Sequence, residues 1–322
     1  MGGKFNNRIL LWIFLVLAAI LIISKFTVRK RAERTLATDI VQIDTAQVTS
    51  IQLYPAAENG KLIGFKKNNG SWNVAMGEVE AAADRQALRS MLTELQNLKT
   101  NQLVSRSVES WSDYDVDDSL GTRIVIREGN RTTLDLVVGR FQYQQPSQSN
   151  YNSYQGNQVS GKTYVRLYDE NEVYSVDGFL ALGINRDFES WRDKTVTNFN
   201  SNSLTKVVFD YPADSGFVAR KNEGGWMVAG ILADSASMVS WVNRVARKTH
   251  REFADGFQPS GEPDFQVSFE GDNMSPQQVS AWVEDQSHLV LNSSINPGTW
   301  FSSGRGDLFT DLFPGSEELI SP

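Results

Sequence analysis

Apolar residues form one long block near the amino terminus. Residues 9–24 contain no charged side chain, and beyond Lys25 the apolar character continues to Val28. A helix of about twenty apolar residues crosses a hydrocarbon core of ~30 Å, and the stem of Lys25 can carry its ammonium group to the headgroups. A cleaved signal peptide is the alternative, although its apolar region is usually shorter. The pattern predicts, in order, a short tail, a single transmembrane helix and a linker at residues 1–8, 9–28 and 29–46.

From residue 48 onward, the apolar and polar positions follow a strand–strand–helix pattern that occurs twice. The blocks lie at 48–55, 62–74 and 83–98 in the first copy and at 204–212, 216–228 and 233–245 in the second. Trp72 aligns with Trp226, and Asp84 aligns with Asp234. Each tryptophan follows a glycine-containing turn and precedes an alternating valine, which predicts a buried position on a strand. Each aspartate precedes an apolar stripe at helical spacing, which predicts a helix N-cap.

After each helix, apolar residues alternate again in short runs that are typical of strands. These runs lie at 122–126, 134–138, 164–167 and 173–176, and at 265–269, 279–282, 289–291 and 299–302. Strands around one helix predict an α+β fold. Behind the transmembrane helix, we expect two tandem repeated modules at 47–185 and 186–322. Each is predicted to be a largely antiparallel sheet with one packed helix.

One segment, residues 142–161, carries no charge and has neither a helical nor a strand period. It is rich in Gln, Asn, Ser and Tyr, which predicts a loop inserted between two strands. Tyr143, Tyr151 and Tyr154 in this segment are candidate contacts with a partner, because tyrosine among small polar residues suits polar ligands such as glycans or peptides. The alternative is an irregular loop with scattered aromatic residues.

The net charge of −7 is unevenly distributed. Residues 1–34 hold seven basic residues and one acidic residue, a net +6, so the rest of the chain carries −13. An acidic globular region repels nucleic acid and anionic lipid headgroups, so neither is expected as its ligand. Five basic residues flank the carboxyl end of the apolar block, which favours a cytoplasmic globular region, but long domains are translocated largely regardless of this bias.

The residue types limit the chemistry. The chain has no cysteine and two histidines, which leaves little material for a thiolate nucleophile or a histidine-ligated metal. No glycine-rich phosphate loop follows a strand, so no nucleotide is expected. The acidic run Asp113 to Asp118 resembles a calcium loop, but Asp118 stands where glycine is needed and Ile124 where glutamate is needed. We therefore expect no enzymatic activity and no catalytic, cofactor-binding or metal-binding residues.

The sequence Trp191-Arg192-Asp193-Lys194 lies where the two predicted modules meet. One interpretation is that Arg192 belongs to a buried Arg–Asp pair that fixes the relative angle of the modules. The alternative is that Arg192 and Asp193 begin an ordinary surface strand. Both interpretations give this segment a structural role.

Together these features resemble a bacterial family, the domains of unknown function numbered 4340, which are often encoded beside ABC transporters of the gliding-motility type. The resemblance covers about residues 44–255, and it includes the strands ending at Trp72 and Trp226 and the motif Phe188-x-x-Trp191-Arg192-Asp193-Lys194. No catalytic residues are established for such a family, so none carry over.

The resemblance implies a non-enzymatic, membrane-anchored accessory or scaffold protein of a cell-envelope assembly, with ABC-type transporter subunits as partners. It also implies a location at the bacterial inner membrane, with the globular region in the periplasm. The alternative function is an extracytoplasmic glycan- or peptide-binding module that uses the tyrosine-rich loop.

Overall fold

The computed structural model describes residues 40–144, 160–285, 287–304 and 308–321. The predicted tail, the predicted transmembrane segment at 9–28 and most of the predicted linker lie outside these residues. Among the residues that the structure describes, no helix is long and apolar enough to cross a membrane.

Strands make up most of the regular structure in the first half of the chain. They are β1 (Val48–Tyr54), β2 (Ile63–Asn68), β3 (Ser71–Met76), β4 (Val79–Ala82), β5 (Thr100–Ser105), β6 (Thr122–Glu128), β7 (Arg131–Gln144), β8 (Ser160–Leu167) and β9 (Val173–Asp177). One longer helix, α1 (Arg85–Gln96), separates β4 from β5, and two short helices, α2 (Leu180–Ile184) and α3 (Phe188–Trp191), follow β9.

The second half has the same kind of composition. Its strands are β10 (Leu204–Asp210), β11 (Phe217–Asn222), β12 (Gly225–Val228), β13 (Ile231–Leu232), β14 (Phe265–Gly271), β15 (Gln277–Val283), β16 (His288–Ser293) and β17 (Asn296–Gly304). Its longer helix is α4 (Ser235–Val245), and the two short helices α5 (Leu308–Leu312) and α6 (Ser316–Ile320) follow β17.

The described residues divide into two compact units. The first contains Met91–Asn185 and the described part of Met1–Gly60, and the second contains Lys61–Ser90 and Arg186–Pro322. The predicted first module, 47–185, therefore supplies residues to both units.

In the first unit, the strands pair in the order β1-β6-β7-β8-β9-β5, and each of these neighbouring pairs is antiparallel. The prediction of a loop over 142–161 was wrong at both ends of this segment, because residues 142–144 belong to β7 and residues 160–161 belong to β8, and the two strands pair there. Residues 145–159 lie outside the described residues. A small apolar cluster of Val116, Val137 and Val173 packs against partly buried aromatic residues that include Trp111 and Tyr168.

The second unit contains the antiparallel strands β2, β3 and β4 and a separate eight-stranded sheet, in the order β13-β12-β11-β10-β14-β15-β16-β17. Helix α4 buries Met238, Trp241, Val242 and Val245, which stand at helical spacing. These side chains join Phe209, Phe269 and other apolar residues of the eight-stranded sheet in one core.

The element order shows the repeat directly. Each copy has one strand, a 3₁₀ turn, three strands, a longer helix, four strands and two short helices, and β5 is an addition in the first copy. Within each copy the pairing follows the same order, with β1-β6-β7-β8-β9 matched by β10-β14-β15-β16-β17. The repeat thus extends to α6, beyond the region where the sequence resemblance is strong.

The predicted fold class was wrong. Instead of an α+β protein with a transmembrane helix and one helix per module, the described residues form mainly antiparallel β structure, and no described helix is suited to span a membrane. Each copy has one longer helix but eight or nine strands. The β-branched and aromatic runs that form these strands therefore determine the fold class. Each copy also ends in two helices of at most five residues, which are too short to show a clear helical period.

Candidate interaction site at the edge of each repeat

The two longer helices begin in the same way in both copies. The Asp84 carboxylate accepts hydrogen bonds from the N–H groups of Gln86 and Ala87, each at 2.9 Å. The Asp234 carboxylate accepts from Ser237 N–H at 2.8 Å, and this hydrogen bond lowers the pKa of Asp234. Both aspartates therefore act as N-caps, as their positions in the sequence predict.

The backbone of each capping aspartate also binds one of the short helices. Asp84 N–H donates to the Trp191 carbonyl at 2.8 Å, and Asp234 N–H donates to the Leu319 carbonyl at 3.2 Å. Helix α3, which ends at Trp191, and helix α6, which contains Leu319, thus occupy equivalent positions in the two copies.

The short strands before the capping aspartates are also equivalent. Ala82 lies opposite Asn73 in β3, and Leu232 lies opposite Met227 in β12. The next residue in each copy donates back into the hairpin, Ala83 to Trp72 at 2.9 Å and Ala233 to Trp226 at 2.8 Å. Because hydrogen-bonded and non-hydrogen-bonded pairs alternate in an antiparallel ladder, the N–H and C=O of Ala82 and Leu232 point away from the hairpin.

In the first copy this outward-facing edge is covered. Asp193 N–H donates to the Ala82 carbonyl at 2.8 Å, which together with the bond from Asp84 to Trp191 forms an antiparallel bridge between Ala83 and Arg192. The side chains on the covered edge are small, and Ala81 and Ala83 are buried. Arg192 and Asp193, which follow α3 in extended backbone, thus cover the edge of β4.

Arg192 anchors this covering segment. Its side chain is buried and forms two hydrogen bonds of 2.7 Å with the Asp255 carboxylate, while its guanidinium lies 3.6 Å from the centre of the Phe253 ring. The Asp193 carboxylate instead accepts from Thr195 N–H at 2.9 Å. Neighbouring side chains in extended backbone point in opposite directions, which is why Arg192 pairs with Asp255 and not with the adjacent Asp193.

Two further side chains, one on each side of the bridge, hold this covering segment in place. Trp191 is buried and meets the ring of Phe65 edge to face, with 5.4 Å between ring centres. The Lys194 ammonium donates to the carbonyls of Ser190 and Arg192, and burial lowers the pKa of Lys194. Aromatic packing and hydrogen bonds therefore fix the covering segment over its whole length.

The two tryptophans that mark the repeat differ in burial. They have the same register, since Trp72 lies opposite Lys67 and Trp226 lies opposite Lys221. Trp226 is buried, but Trp72 is only half-buried, and the Lys67 ammonium lies 6.0 Å from the centre of its ring. The prediction that both tryptophans are buried was wrong for Trp72, whose strand leaves part of the indole open to water.

In the second copy the equivalent edge is open. Ile231 and Leu232, which correspond to Ala81 and Ala82, are 55% and 59% exposed. Ser321, which follows α6 as Asp193 follows α3, donates its N–H to the Glu317 carbonyl of its own helix. Within the described ranges, no strand pairs with β13 on the side opposite β12. The second copy thus presents two large apolar side chains and an unpaired backbone edge.

The other residues singled out from the sequence lie elsewhere. Tyr143 is near the end of β7, opposite Gly161, and is 51% exposed. Tyr151 and Tyr154 lie outside the described residues. In the acidic run, Asp117 caps its own turn by accepting from the N–H groups of Ser119 and Leu120. In the part of the chain that the structure describes, no group of three acidic or histidine side chains is arranged to hold a metal ion.

The open edge was not among the predictions from the sequence. The signal was present, because Ile231-Leu232-Ala233-Asp234 aligns with Ala81-Ala82-Ala83-Asp84, and large apolar residues replace alanines just before the cap. Aligning the copies through the caps would have shown it. A run of two residues is too short to be identified as a strand from periodicity.

The fold and this edge define a class of protein: an antiparallel β protein of two repeats, in which the edge of the first repeat is covered by an extended segment and that of the second is open. The family model for the domain of unknown function DUF4340 matches residues 72–265, which is more than half of the chain. The chain belongs to the DUF4340 family. No curated protein and no solved structure matches it.

Proposed function

We propose that this protein is a non-enzymatic accessory or scaffold protein of a cell-envelope assembly, an ABC-type transport system, and that it binds its partner along β13. One observation carries the proposal. The edge that Arg192 and Asp193 cover in the first copy is open in the second copy, where Ile231 and Leu232 are exposed. The resemblance to a family encoded beside ABC transporters supports the kind of assembly.

The bridge in the first copy supports a way in which the partner would bind. There, an extended segment donates an N–H to Ala82 and seats a buried tryptophan beside the hairpin. An extended partner segment aligned with β13 would donate an N–H to the Leu232 carbonyl and accept the Leu232 N–H. This is β-strand addition, in which main-chain hydrogen bonds supply affinity and side-chain contacts supply specificity.

The exposed side chains supply the driving force. Full burial of a Leu or Ile side chain is worth about 1.5–3 kcal/mol, so covering the exposed half of Ile231 and of Leu232 contributes roughly 1 kcal/mol each. An unpaired apolar edge is also a site of aggregation, which native proteins usually cover or charge. A dedicated partner explains why large apolar residues stand at this edge.

A cross-linking experiment tests the proposal. A photo-reactive amino acid is placed at position 232 and, as a control, at position 182, because Leu182 is equally exposed at 59% but lies in the first unit. We expect cross-linking from position 232 to an ABC-type transport subunit, identified by mass spectrometry, and none from position 182. Equal cross-linking from both positions, or a partner from another class of protein, would contradict the proposal.

We further propose that the globular region lies on the periplasmic side of the bacterial inner membrane, held there by the apolar residues 9–28. The apolar composition of that segment and the family resemblance support this location. Protease added to intact spheroplasts should then digest residues beyond 40. Complete protection in intact spheroplasts, with digestion after lysis, would place the region in the cytoplasm.

A further inference from the structure

We propose that the first copy carries a second, separate binding site, a cleft that takes a neutral, hydroxyl-rich ligand of the saccharide class. The cleft has a volume of about 480 Å³. This volume lies within the usual range for small-molecule sites. Its walls come from the end of β1, the loops after β1 and before β6, and the facing strands. The polar and aromatic side chains that line it include Tyr54, Asn59, Asp117, Asp118, Arg123 and Tyr168.

The charged groups around the cleft already have partners. Arg123 forms two hydrogen bonds with Asp135, at 2.8 and 2.7 Å, and they raise the pKa of Arg123. One oxygen of Asp117 accepts three hydrogen bonds from Ser119 and Leu120, which outweigh burial and lower the pKa of Asp117. With its charges paired in this way, the cleft offers no free cation to a phosphate and no uncommitted carboxylate pair to a metal ion.

The Asp118 carboxylate has a cationic neighbour of its own. One of its oxygens lies 3.6 Å from Nη2 of Arg166, an atom that is buried and has no hydrogen-bond partner in the described residues. The buried guanidinium therefore offsets the charge of Asp118 while leaving that carboxylate exposed at the cleft. Its oxygens remain able to accept hydrogen bonds from a ligand.

The uncharged polar groups of the cleft, by contrast, are available. Within the described ranges, the hydroxyls of Tyr54 and Tyr168 and the side-chain amide of Asn59 make no hydrogen bond. These groups both donate and accept, as does a sugar hydroxyl. The Arg123 guanidinium lies 3.3 Å from the centre of the Tyr168 ring and covers one face of it. The half-buried Tyr54 ring supplies an apolar wall, against which the C–H groups of a sugar can pack. Neutral hydrogen-bonding groups beside aromatic rings favour a polyhydroxylated ligand over an ion.

Arg166 connects two walls of the cleft and keeps them in place. This side chain is fully buried, with its guanidinium 3.7 Å from the centre of the Trp111 ring. It donates to the Val116 carbonyl at 3.1 Å and to the Tyr168 carbonyl at 2.7 Å. One guanidinium thus ties the loop that carries Asp117 to the turn after β8 that carries Tyr168. A site whose walls are fixed before binding loses less entropy when the ligand binds.

The second copy lacks this arrangement at the equivalent positions. The pair Tyr54–Arg123 between β1 and β6 corresponds to Asp210–Gln266 between β10 and β14. The buried Arg166, opposite Val137, corresponds to Asn292, opposite Ser280. The fold therefore does not require the arginines or the tyrosine, which indicates that they serve the cleft and not the repeat as such.

Binding to the full-length protein tests the site. The probes are glucose, N-acetylglucosamine and their β-1,4-linked tetramers, observed by saturation-transfer NMR. Two variants remove one polar group each: Tyr168→Phe keeps the ring under Arg123, and Asn59→Gly suits the left-handed backbone at this position (φ 53°). Tyr143→Phe, on an exposed tyrosine that does not line the cleft, is the matched control.

We expect at least one saccharide to bind. Each cleft variant should raise the Kd of that saccharide by about fivefold to tenfold, and the control should leave the Kd unchanged. Absence of saturation transfer to all of the probes would overturn the proposal. So would an unchanged Kd in both cleft variants, or displacement of the saccharide by inorganic phosphate. Melting temperatures check that each variant is folded. Failure here leaves the proposed partner site at β13 untouched, because that site shares no residue with the cleft.

Discussion

The first and second copies share an order of strands and helices, yet the side chains at equivalent edge positions differ. In the first copy the edge strand β4 has alanines and is covered by the segment after α3, whereas in the second copy the edge strand β13 has Ile231 and Leu232 and is open. A repeat that retains its backbone pairing can change its function by altering a few side chains at an edge.

A second difference between the copies concerns one polar residue on a pair of equivalent strands. Arg166 of the first copy and Asn292 of the second occupy equivalent positions, and each donates to backbone carbonyls of the chain that follows. A neutral amide thus replaces a buried cation, which removes the cost of holding a charge away from water. Around the second copy's core, aromatic residues pack against one another, as with Phe209 and Phe217 at 4.3 Å between ring centres.

The largest expected effect concerns the paired tryptophans. Trp226→Ala should lower the free energy of unfolding by about 3–5 kcal/mol, the usual cost of emptying a core aromatic site. Trp72→Ala should cost roughly half as much, because Trp72 is only half-buried. Urea denaturation of the two variants measures the difference. Equal losses would show that the two copies bury their tryptophans alike, against the structure.

Next in size is the anchor of the covering segment. Asp255→Ala leaves the buried Arg192 without its carboxylate partner and should cost about 2–3 kcal/mol, less than a fully buried pair because Asp255 is 38% exposed. Glu223→Ala, on an exposed turn of the second copy, is the control and should change stability by less than about 0.5 kcal/mol. If both variants unfold at the same urea concentration, Arg192 does not depend on Asp255.

The smallest effect is a pH dependence at the second helix cap. Hydrogen bonds from Ser237 lower the pKa of Asp234 below its ordinary value of 3.8. The folded state thus holds the proton less tightly than the unfolded state, so this contribution is fully present above pH 3.8 and disappears as the pH falls through the lowered pKa. Asp234→Asn keeps a capping oxygen but does not titrate. Wild type should lose more stability than this variant between about pH 5 and about pH 2, an interval that brackets the ordinary Asp value. Identical pH profiles would contradict the assignment.

Much of the strand pattern followed from the sequence. The runs after each helix become β6 to β9 and β14 to β17, because alternating apolar residues need one buried face. The capping aspartates also act as expected, since an acceptor before an apolar stripe satisfies free N–H groups. β4, β5 and β13 were missed, because their exposed or weakly alternating residues carry no clear period.

The candidate sites were less predictable than the fold. The partner of Arg192 is Asp255, which lies 63 residues further along the chain, and no local pattern identifies so distant a pair. The cleft likewise brings Tyr54 and Arg123 together through strand pairing, and it adds Tyr168 from the turn after β8. The local pattern around each residue does not mark it as part of a site. Such sites depend on tertiary register, which the sequence pattern of one strand does not contain.

Hydrogen exchange at Leu232 tests the central claim most directly. The Leu232 amide points away from β12, so in the isolated protein it should exchange rapidly, as unpaired edge amides do. In a complex with the partner recovered by cross-linking, strand addition should protect this amide, and the Leu182 region should show no change. Protection of Leu232 on binding is the result that our account predicts. A stable complex in which Leu232 exchanges as fast as in the free protein would contradict it.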